Sequence, residues 1–241
     1  MIKIDLLLYK IYNNKYKMNN LPNILHQIFL RSPLNLFDEF ILECQKWYSQ
    51  PAHSLTEMRK RDNKKIRGDI FEEFCVLYLK HIKNYSHVWR LPDVPDEILL
   101  KLNMKRRDMG IDIICEDNGV YTAVQCKYKK HTSMRKHCVT WKELSTFYAM
   151  CLRTGIPEIG WDKYIVMTNC EYITHMGKKT EKDQSICIGT FRNISTDDWI
   201  KMCGLIGQTL VSNVNIETNI NVTIDDKEKL RALRLAFYDK K

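Results

Sequence analysis

The sequence predicts an α/β fold: a β-sheet core flanked by helices, preceded by an N-terminal helical arm. Three observations predict it. Two runs rich in Ile, Val, Tyr and Thr flank Asn118-Gly119, the strongest short-range signal for a β-hairpin with a type I′ turn. Apolar residues recur at helical spacing on both sides of that hairpin. The 241 residues are 44% hydrophobic and 28% charged, which is enough chain and enough apolar surface to bury a sizeable core.

Taken in order, residues 1–16 hold a short apolar patch, Leu6 to Tyr9, interrupted by Asp5 and Lys10. It is too short to span a bilayer and lacks a small-residue cleavage site, so no signal peptide or membrane anchor is expected, and Met18 is an alternative start to Met1. Leu21, Ile24, Leu25 and Ile28 form one helical stripe; Leu36, Phe37, Phe40, Ile41, Cys44 and Trp47 form a second, with Ser32 as expected N-cap and Pro33 in the first turn. Ser54-Leu55-Thr56-Glu57 has capping-box spacing. Six positive charges against one negative follow in residues 59–67, either a solvated helix face or a phosphate-facing patch. Asp69 to Ile82 is an amphipathic helix, with Ile70, Phe71, Phe74, Leu77 and Tyr78 on its buried side.

A strand is expected at Val88 to Leu91 and a short helix at Asp96 to Leu102, punctuated by Pro92 and Pro95. In the hairpin, Asn118 and Gly119 as loop residues pair Asp117 with Val120, and counting back sets Asp112 opposite Gln125. Opposite residues share a face, so Asp112, Gln125 and Lys127 lie together with side chains about 5 Å apart across the strands. Ile111, Ile113, Val124 and Cys126 are expected to point the other way, into the core. Packing a hairpin does not require an Asp, an amide and a Lys on one face; they can hold a divalent cation and a phosphate, or they are the wet face of a half-exposed strand. Thr140 to Arg153 reads as a helix, Tyr164 to Thr168 as a buried strand, Glu171 to Gln184 as a polar loop, Ile186 to Phe191 as a strand, and Ser195 as the cap of a helix through Met202. Gly204 to Asn221 reads as a linker before a closing helix, Asp225 to Tyr238.

Lys and Arg outnumber Asp and Glu by 38 to 29, giving a net charge of +9, and residues 101–140 alone hold nine basic against four acidic residues. Such a frame suits a polyanionic partner. The nine cysteines include no Cys-x-x-Cys pair, so they read as reduced core residues in an intracellular compartment, and His131, His137 and Cys138 read as loop residues, not a zinc site. No Gly-x-x-x-x-Gly-Lys phosphate loop is present.

Gly68-Asp69-Ile70-Phe71-Glu72, then Asp108-Met109-Gly110-Ile111-Asp112, then Val124-Gln125-Cys126-Lys127, then the Thr140-Trp141-Lys142-Glu143-Leu144 helix and the Tyr164 to Thr168 strand, follow in an order that resembles the Mrr-like branch of the PD-(D/E)XK nuclease superfamily. The resemblance covers roughly residues 66 to 170. It implies a restriction-endonuclease-like mixed sheet flanked by helices, with a helical arm over residues 1–65, a nuclease core over 66–205 and a linker and C-terminal helix over 206–241. It further implies a Mg2+-dependent deoxyribonuclease, with Mn2+ as substitute, that cuts double-stranded DNA to 5′-phosphate and 3′-hydroxyl ends. By resemblance Asp112 is the metal carboxylate, Gln125 stands in place of the usual second acid, Lys127 is the catalytic lysine, and Glu72 is the additional acid that completes the metal shell; the chemistry of a hard, oxygen-ligated cation adds the Cys126 backbone carbonyl as a further candidate ligand. Arg61, Lys64, Lys65, Arg67, Lys105, Arg106, Arg107, Lys129, Lys130 and Arg135 are the candidate DNA contacts. A weakly active DNA-binding module of the same fold and a structure-selective, Holliday-junction-type resolvase are the competing readings. Cleavage of both strands makes a homodimer an expectation, with the helical arm and the final helix as candidate interfaces.

Overall fold

A computed structural model describes residues 21–32, 35–48, 63–107, 110–130, 137–174 and 180–204, with only the backbone described at 46–48 and 63–66. The capping box at Ser54, the linker, the closing helix, Asp108, His131 and the site candidates Arg61 and Arg135 lie outside the described residues, as do the side chains of Lys64 and Lys65. The described residues belong to the first of the two units into which the chain divides, residues 1–206 and 207–241. Among them no helix is long and apolar enough to cross a membrane.

Three helices open the fold: α1 (Leu21–Arg31), α2 (Leu36–Tyr48) and α3 (Asn63–His81). Strand β1 (His87–Arg90) passes through a 3-10 turn (Leu91–Asp93) into α4 (Asp96–Lys101). The hairpin β2 (Ile113–Asp117) and β3 (Val120–Lys127) comes next, followed by β4 (Cys138–Val139), α5 (Trp141–Cys151), β5 (Lys163–Thr168), β6 (Tyr172–Ile173), β7 (Asp183–Ile186), α6 (Ile188–Arg192) and α7 (Thr196–Met202). The main sheet runs β1-β2-β3-β5-β7, antiparallel through the hairpin and parallel from β3 onward. A two-stranded parallel sheet, β4-β6, stands beside it.

The hairpin has the expected turn. Asn118 and Gly119 both take positive φ, 52° and 79°, as a type I′ turn requires, and Asp117 pairs with Val120. Its strands are covered on both faces, as suits a sheet that is parallel over much of its width. On one face Ile113, Cys115, Val124 and Cys126 meet α1, α2, α3, α6 and α7; on the other Ile114, Tyr121 and Ala123 meet α4, α5 and the small sheet. Ile111 belongs to this second face, opposite to the side expected for it, because the regular strand starts only at Ile113. Gly110 turns the chain into the strand with φ 93°, and a Cβ there would lie 3.1 Å from the Phe147 backbone nitrogen, so this turn fits only a residue without a side chain.

The two N-terminal helices spend their apolar stripes inside the chain. Phe37 and Phe40 are buried in one cluster with Phe71, Phe74, Phe191 and Trp199. The α2 N-terminus is capped by Asn35 in place of the expected Ser32: the Asn35 side-chain oxygen accepts from the Phe37 and Asp38 N–H groups. The expected strand Ile186 to Phe191 is strand only at Ile186; the helix α6 takes the segment from Ile188 onward. Parallel pairing to β5 uses Asp183–Ile186, and the chain then coils into α6 because Phe191 has to reach the aromatic cluster, stacking on Phe37 at 4.8 Å. Packing thereby overrides the local strand propensity of an apolar run. Elsewhere the caps agree with the pattern, Ser195 accepting from the Asp198 N–H and Thr140 with Glu143 forming a reciprocal capping box.

Candidate active site at the end of the central hairpin

Asp112 sits one residue before β2, where the ladder goes out of step. Its N–H bonds the Val124 carbonyl at 2.9 Å, although Val124 is already the partner of Ile113, and its own carbonyl accepts from the Leu91 N–H at 2.8 Å. With the backbone satisfied on both sides, the half-buried carboxylate reaches across to β3. There one oxygen accepts the Cys126 backbone N–H at 2.6 Å and the Gln125 side-chain amide. The same Gln125 amide nitrogen also lies 3.3 Å from the Cys126 carbonyl oxygen. The Gln125 NH2 group therefore bridges two oxygens, Asp112 Oδ2 and Cys126 O, that converge on one spot. Lys127 follows two residues along β3 on the same face, half-buried, its strand end held by the Thr168 hydroxyl, which donates to the Lys127 carbonyl at 2.7 Å.

Glu72 approaches from α3. Phe71, Phe74, Cys75 and Tyr78 form the buried stripe of that helix, and Glu72, about 100° round from Phe71, lies at its margin. Burial first, and then the Glu72 and Asp112 carboxylates among the nearby charges, push both the Cys75 and the Cys126 thiols up. Burial is the larger cause in each case, and it leaves the two thiols as hydrogen-bonded packing groups instead of nucleophiles. Glu73 is directed elsewhere: its carboxylate is ion-paired with Arg90 at 2.7 Å, and burial raises its pKa despite that partner.

The structure brings one Asp112 carboxylate oxygen and the Cys126 backbone carbonyl onto the Gln125 amide nitrogen. Both are hard oxygen donors, of the kind that suits a small divalent cation retaining part of its water shell. Among the described residues no group of three or more His, Cys, Asp and Glu is gathered for a metal. His137 donates from Nε2 to the Lys129 carbonyl at 3.1 Å, and Cys138 lies in β4.

Basic residues divide into two groups. Lys105, Arg107 and Lys130 are exposed and Arg67 is half-buried. Lys129 and Arg106 are engaged within the chain. The Lys129 ammonium donates to the Cys138 carbonyl at 2.8 Å and to both Glu143 oxygens at 3.1 Å, while Arg106 bonds the Pro92 carbonyl and Asp96. Asn169, not singled out from the sequence, fixes this corner by bonding both the N–H and the carbonyl of Lys129 at 2.8 Å. It stands forty positions from its partner, so no local pattern announces it.

Residues 80–201, just over half of the chain, match the family model described as restriction endonuclease. The chain belongs to that restriction endonuclease family. This is a PD-(D/E)XK-type nuclease family, and the mixed five-stranded sheet with flanking helices is the fold it leads one to expect. Asp112, Gln125, Cys126 and Lys127 fall within the matched segment; Glu72 precedes it. No curated protein and no solved structure is detectably similar to the chain.

Proposed function

We propose that this restriction endonuclease family member is an intracellular, Mg2+-dependent DNA endonuclease whose site is built from Asp112, Glu72, Gln125, the Cys126 carbonyl and Lys127. The observation that carries the proposal is the convergence of the Asp112 carboxylate and the Cys126 carbonyl on one point, with Lys127 next on the same face. When bound, a Mg2+ ion supplies Lewis acidity toward a phosphoryl oxygen and lowers the pKa of a coordinated water. Asp112 and the Cys126 carbonyl would hold that ion, the Gln125 amide would turn its oxygen inward, and Glu72 would add a carboxylate or orient a water. Lys127 donates to the phosphoryl oxygens, where negative charge grows in the transition state. Water attacks phosphorus and the 3′ oxygen departs with a proton, leaving 5′-phosphate and 3′-hydroxyl ends. Arg67, Lys105, Arg107 and Lys130, with Arg61, Lys64, Lys65 and Arg135 from the basic segments, meet the DNA backbone. Lys129 and Arg106 act instead by holding the framework. Cutting both strands of a duplex calls for a second site, supplied by a second copy of the chain.

The test is incubation of the full chain with supercoiled DNA in Mg2+, in Mn2+ and in EDTA. Nicked and linear products that a ligase reseals without added kinase are expected in either ion and in neither case with EDTA. DNA binding without any cleavage in both ions would remove the enzyme reading in favour of a binding module.

Gln125→Glu is the sharper probe of metal binding. It places a second carboxylate against Asp112 without a cation between them. In EDTA the pair repels, so the folded state holds its proton to higher pH than the unfolded chain does, and stability is expected to fall as pH rises above the ordinary carboxylate range near 4. Mg2+ relieves the repulsion. Thermal melts of the variant are therefore expected to show a larger Mg2+-induced rise in Tm than those of the parent, with half-maximal cleavage at lower Mg2+; an unchanged response would show that position 125 does not face the ion.

A further inference from the structure

Strands β3 and β5 run in parallel over six paired residues, and the last pair is Lys127 with Thr168. Regular pairing stops there, so Lys127 sits at a strand end, where backbone opens most readily. Side chains take over from the ladder at this point. The Thr168 hydroxyl donates to the Lys127 carbonyl at 2.7 Å and accepts the Cys170 N–H at 3.1 Å. The Asn169 amide bonds Lys129 twice: its oxygen accepts the Lys129 N–H and its nitrogen donates to the Lys129 carbonyl, both at 2.8 Å. An Asn side chain offers an acceptor and a donor, as a peptide unit does, and here it serves Lys129 as a neighbouring strand would.

Thr168 and Asn169 are 0% and 2% exposed. Burying a hydroxyl and an amide costs free energy that their hydrogen bonds offset, and apolar side chains of the same size would pack there without that cost. Joining β3 to β5 does not call for them, since the ladder already does so. What the pair adds is a hold on the main chain from the Lys127 carbonyl to the Lys129 carbonyl. The two residues after Lys127 are fixed by their side chains as well. The Tyr128 ring meets Phe71 edge-on at 5.9 Å, and the Lys129 ammonium is taken by Glu143 and the Cys138 carbonyl. Among the described residues the half-buried Lys127 ammonium has no such partner. Its main chain is anchored while its charge is left for a ligand.

We propose that Thr168 and Asn169 are positioning residues for Lys127: they hold the end of β3 so that the lysine ammonium meets the phosphoryl oxygens at a set distance. The proposal rests on the nuclease reading, which supplies the reaction. Lysine carries its charge on a flexible stem, so the placement of its main chain limits where the ammonium reaches. Catalytic groups work within about 0.5 Å of their productive geometry, and a misplacement of about 1 Å costs on the order of 100-fold in rate. Loosening the strand end spreads Lys127 over positions from which it misses the transition state. Binding of DNA in the ground state draws on the other basic residues and is left as it was, so the loss falls on kcat.

The experiment measures kcat and KM for DNA cleavage by the full chain at saturating Mg2+, at a temperature well below the melt of every variant. Thr168→Val keeps the shape of the side chain and removes its hydroxyl, Thr168→Ser keeps the hydroxyl, and Asn169→Ala removes both bonds to Lys129. Thr168→Val and Asn169→Ala are expected to lower kcat roughly 10- to 100-fold at unchanged KM, and Thr168→Ser to retain the parent kcat. Should Asn169→Ala not fold by circular dichroism, Asn169→Asp carries the same expectation, because it keeps an acceptor for the Lys129 N–H but has no donor for the carbonyl. Ser195→Ala, which removes the cap of α7, is expected to lower Tm and leave kcat as it is. Variants that cut at the parent kcat, a rise in KM in place of the fall in kcat, a Thr168→Ser as slow as Thr168→Val, or a kcat that follows Tm through the whole set, Ser195→Ala included, would each overturn the positioning role and leave the nuclease reading intact. A parent that cuts no DNA in Mg2+ or Mn2+ overturns the nuclease reading and this proposal with it.

Discussion

Asp112→Ala is expected to lower the DNA cleavage rate by about 1,000-fold or more while leaving the protein folded and able to bind DNA. The loss follows from removing the charged anchor of the cation: the site retains Glu72 as its remaining acid, and stabilisation worth several kcal/mol at the phosphoryl oxygens goes with the ion, each 1.36 kcal/mol being a factor of ten. The structural cost is smaller and separable. The carboxylate accepts the Cys126 backbone N–H at 2.6 Å, and Ala leaves that buried donor without it, at about 1–3 kcal/mol against a typical total stability of about 5–15 kcal/mol. Asp112→Asn keeps an oxygen acceptor for Cys126 but not the charge, so it is expected to restore most of the stability and little of the activity. Single-turnover cleavage, urea melts and anisotropy on the two variants check all three statements. An Asp112→Ala enzyme that cuts within tenfold of the parent rate would move the metal site elsewhere. Binding in EDTA is expected to strengthen slightly in both variants, because a carboxylate no longer faces the phosphates.

Phe74→Ala carries the largest expected effect on stability. Its ring stacks on Phe40 at 4.7 Å and meets Phe37, Phe191 and Trp199 at 5.3, 5.5 and 6.1 Å, so it joins α2, α3, α6 and α7. Truncating a fully buried Phe leaves a cavity and costs about 3–5 kcal/mol. The aromatic pairs add geometry-dependent terms of about 0.5–1.5 kcal/mol each, which an aliphatic replacement does not recover. Chemical denaturation is expected to show a lower midpoint with an unchanged slope, and Phe74→Leu an intermediate one. Since Glu72 lies two residues before Phe74 on the same helix, cleavage is expected to decline with temperature earlier in Phe74→Ala than in the parent. A midpoint shift corresponding to less than about 1 kcal/mol would show that this cluster is not what holds α3 to the sheet.

The central hairpin was legible because its information is local. An Asn-Gly turn between β-branched runs sets the loop, the loop sets the register, and the period of two then places Gln125 and Lys127 on one face. Glu72 was expected from its place after Phe71 in the motif that carries the resemblance, while Glu73, one position on, is ion-paired with Arg90. Other features depended on distant chain. The Asp112 N–H leaves the regular ladder for the Val124 carbonyl, and this slip, not simple opposition, turns the carboxylate onto the Cys126 N–H. Asn35 caps α2 where Ser32 had the better-looking sequence context, and the apolar run at 186–191 turns helical from Ile188 because Phe191 joins Phe37 and Phe74, more than a hundred positions away. Lys129 and Lys130 are adjacent and alike in sequence, yet one is consumed by Glu143 and the Cys138 carbonyl while the other faces solvent.

The amino-acid sequence by itself determined which residue types meet at the hairpin end: backbone periodicity and turn chemistry act over a few residues and need nothing else. The tertiary structure decided how those residues are held and what stands beside them. Burial on both sheet faces, the aromatic cluster that draws in Phe191, and the hold of Asn169 on Lys129 all arise from packing between segments far apart in the chain. Packing of that kind is a sum over many contacts, and no stretch of sequence carries it alone.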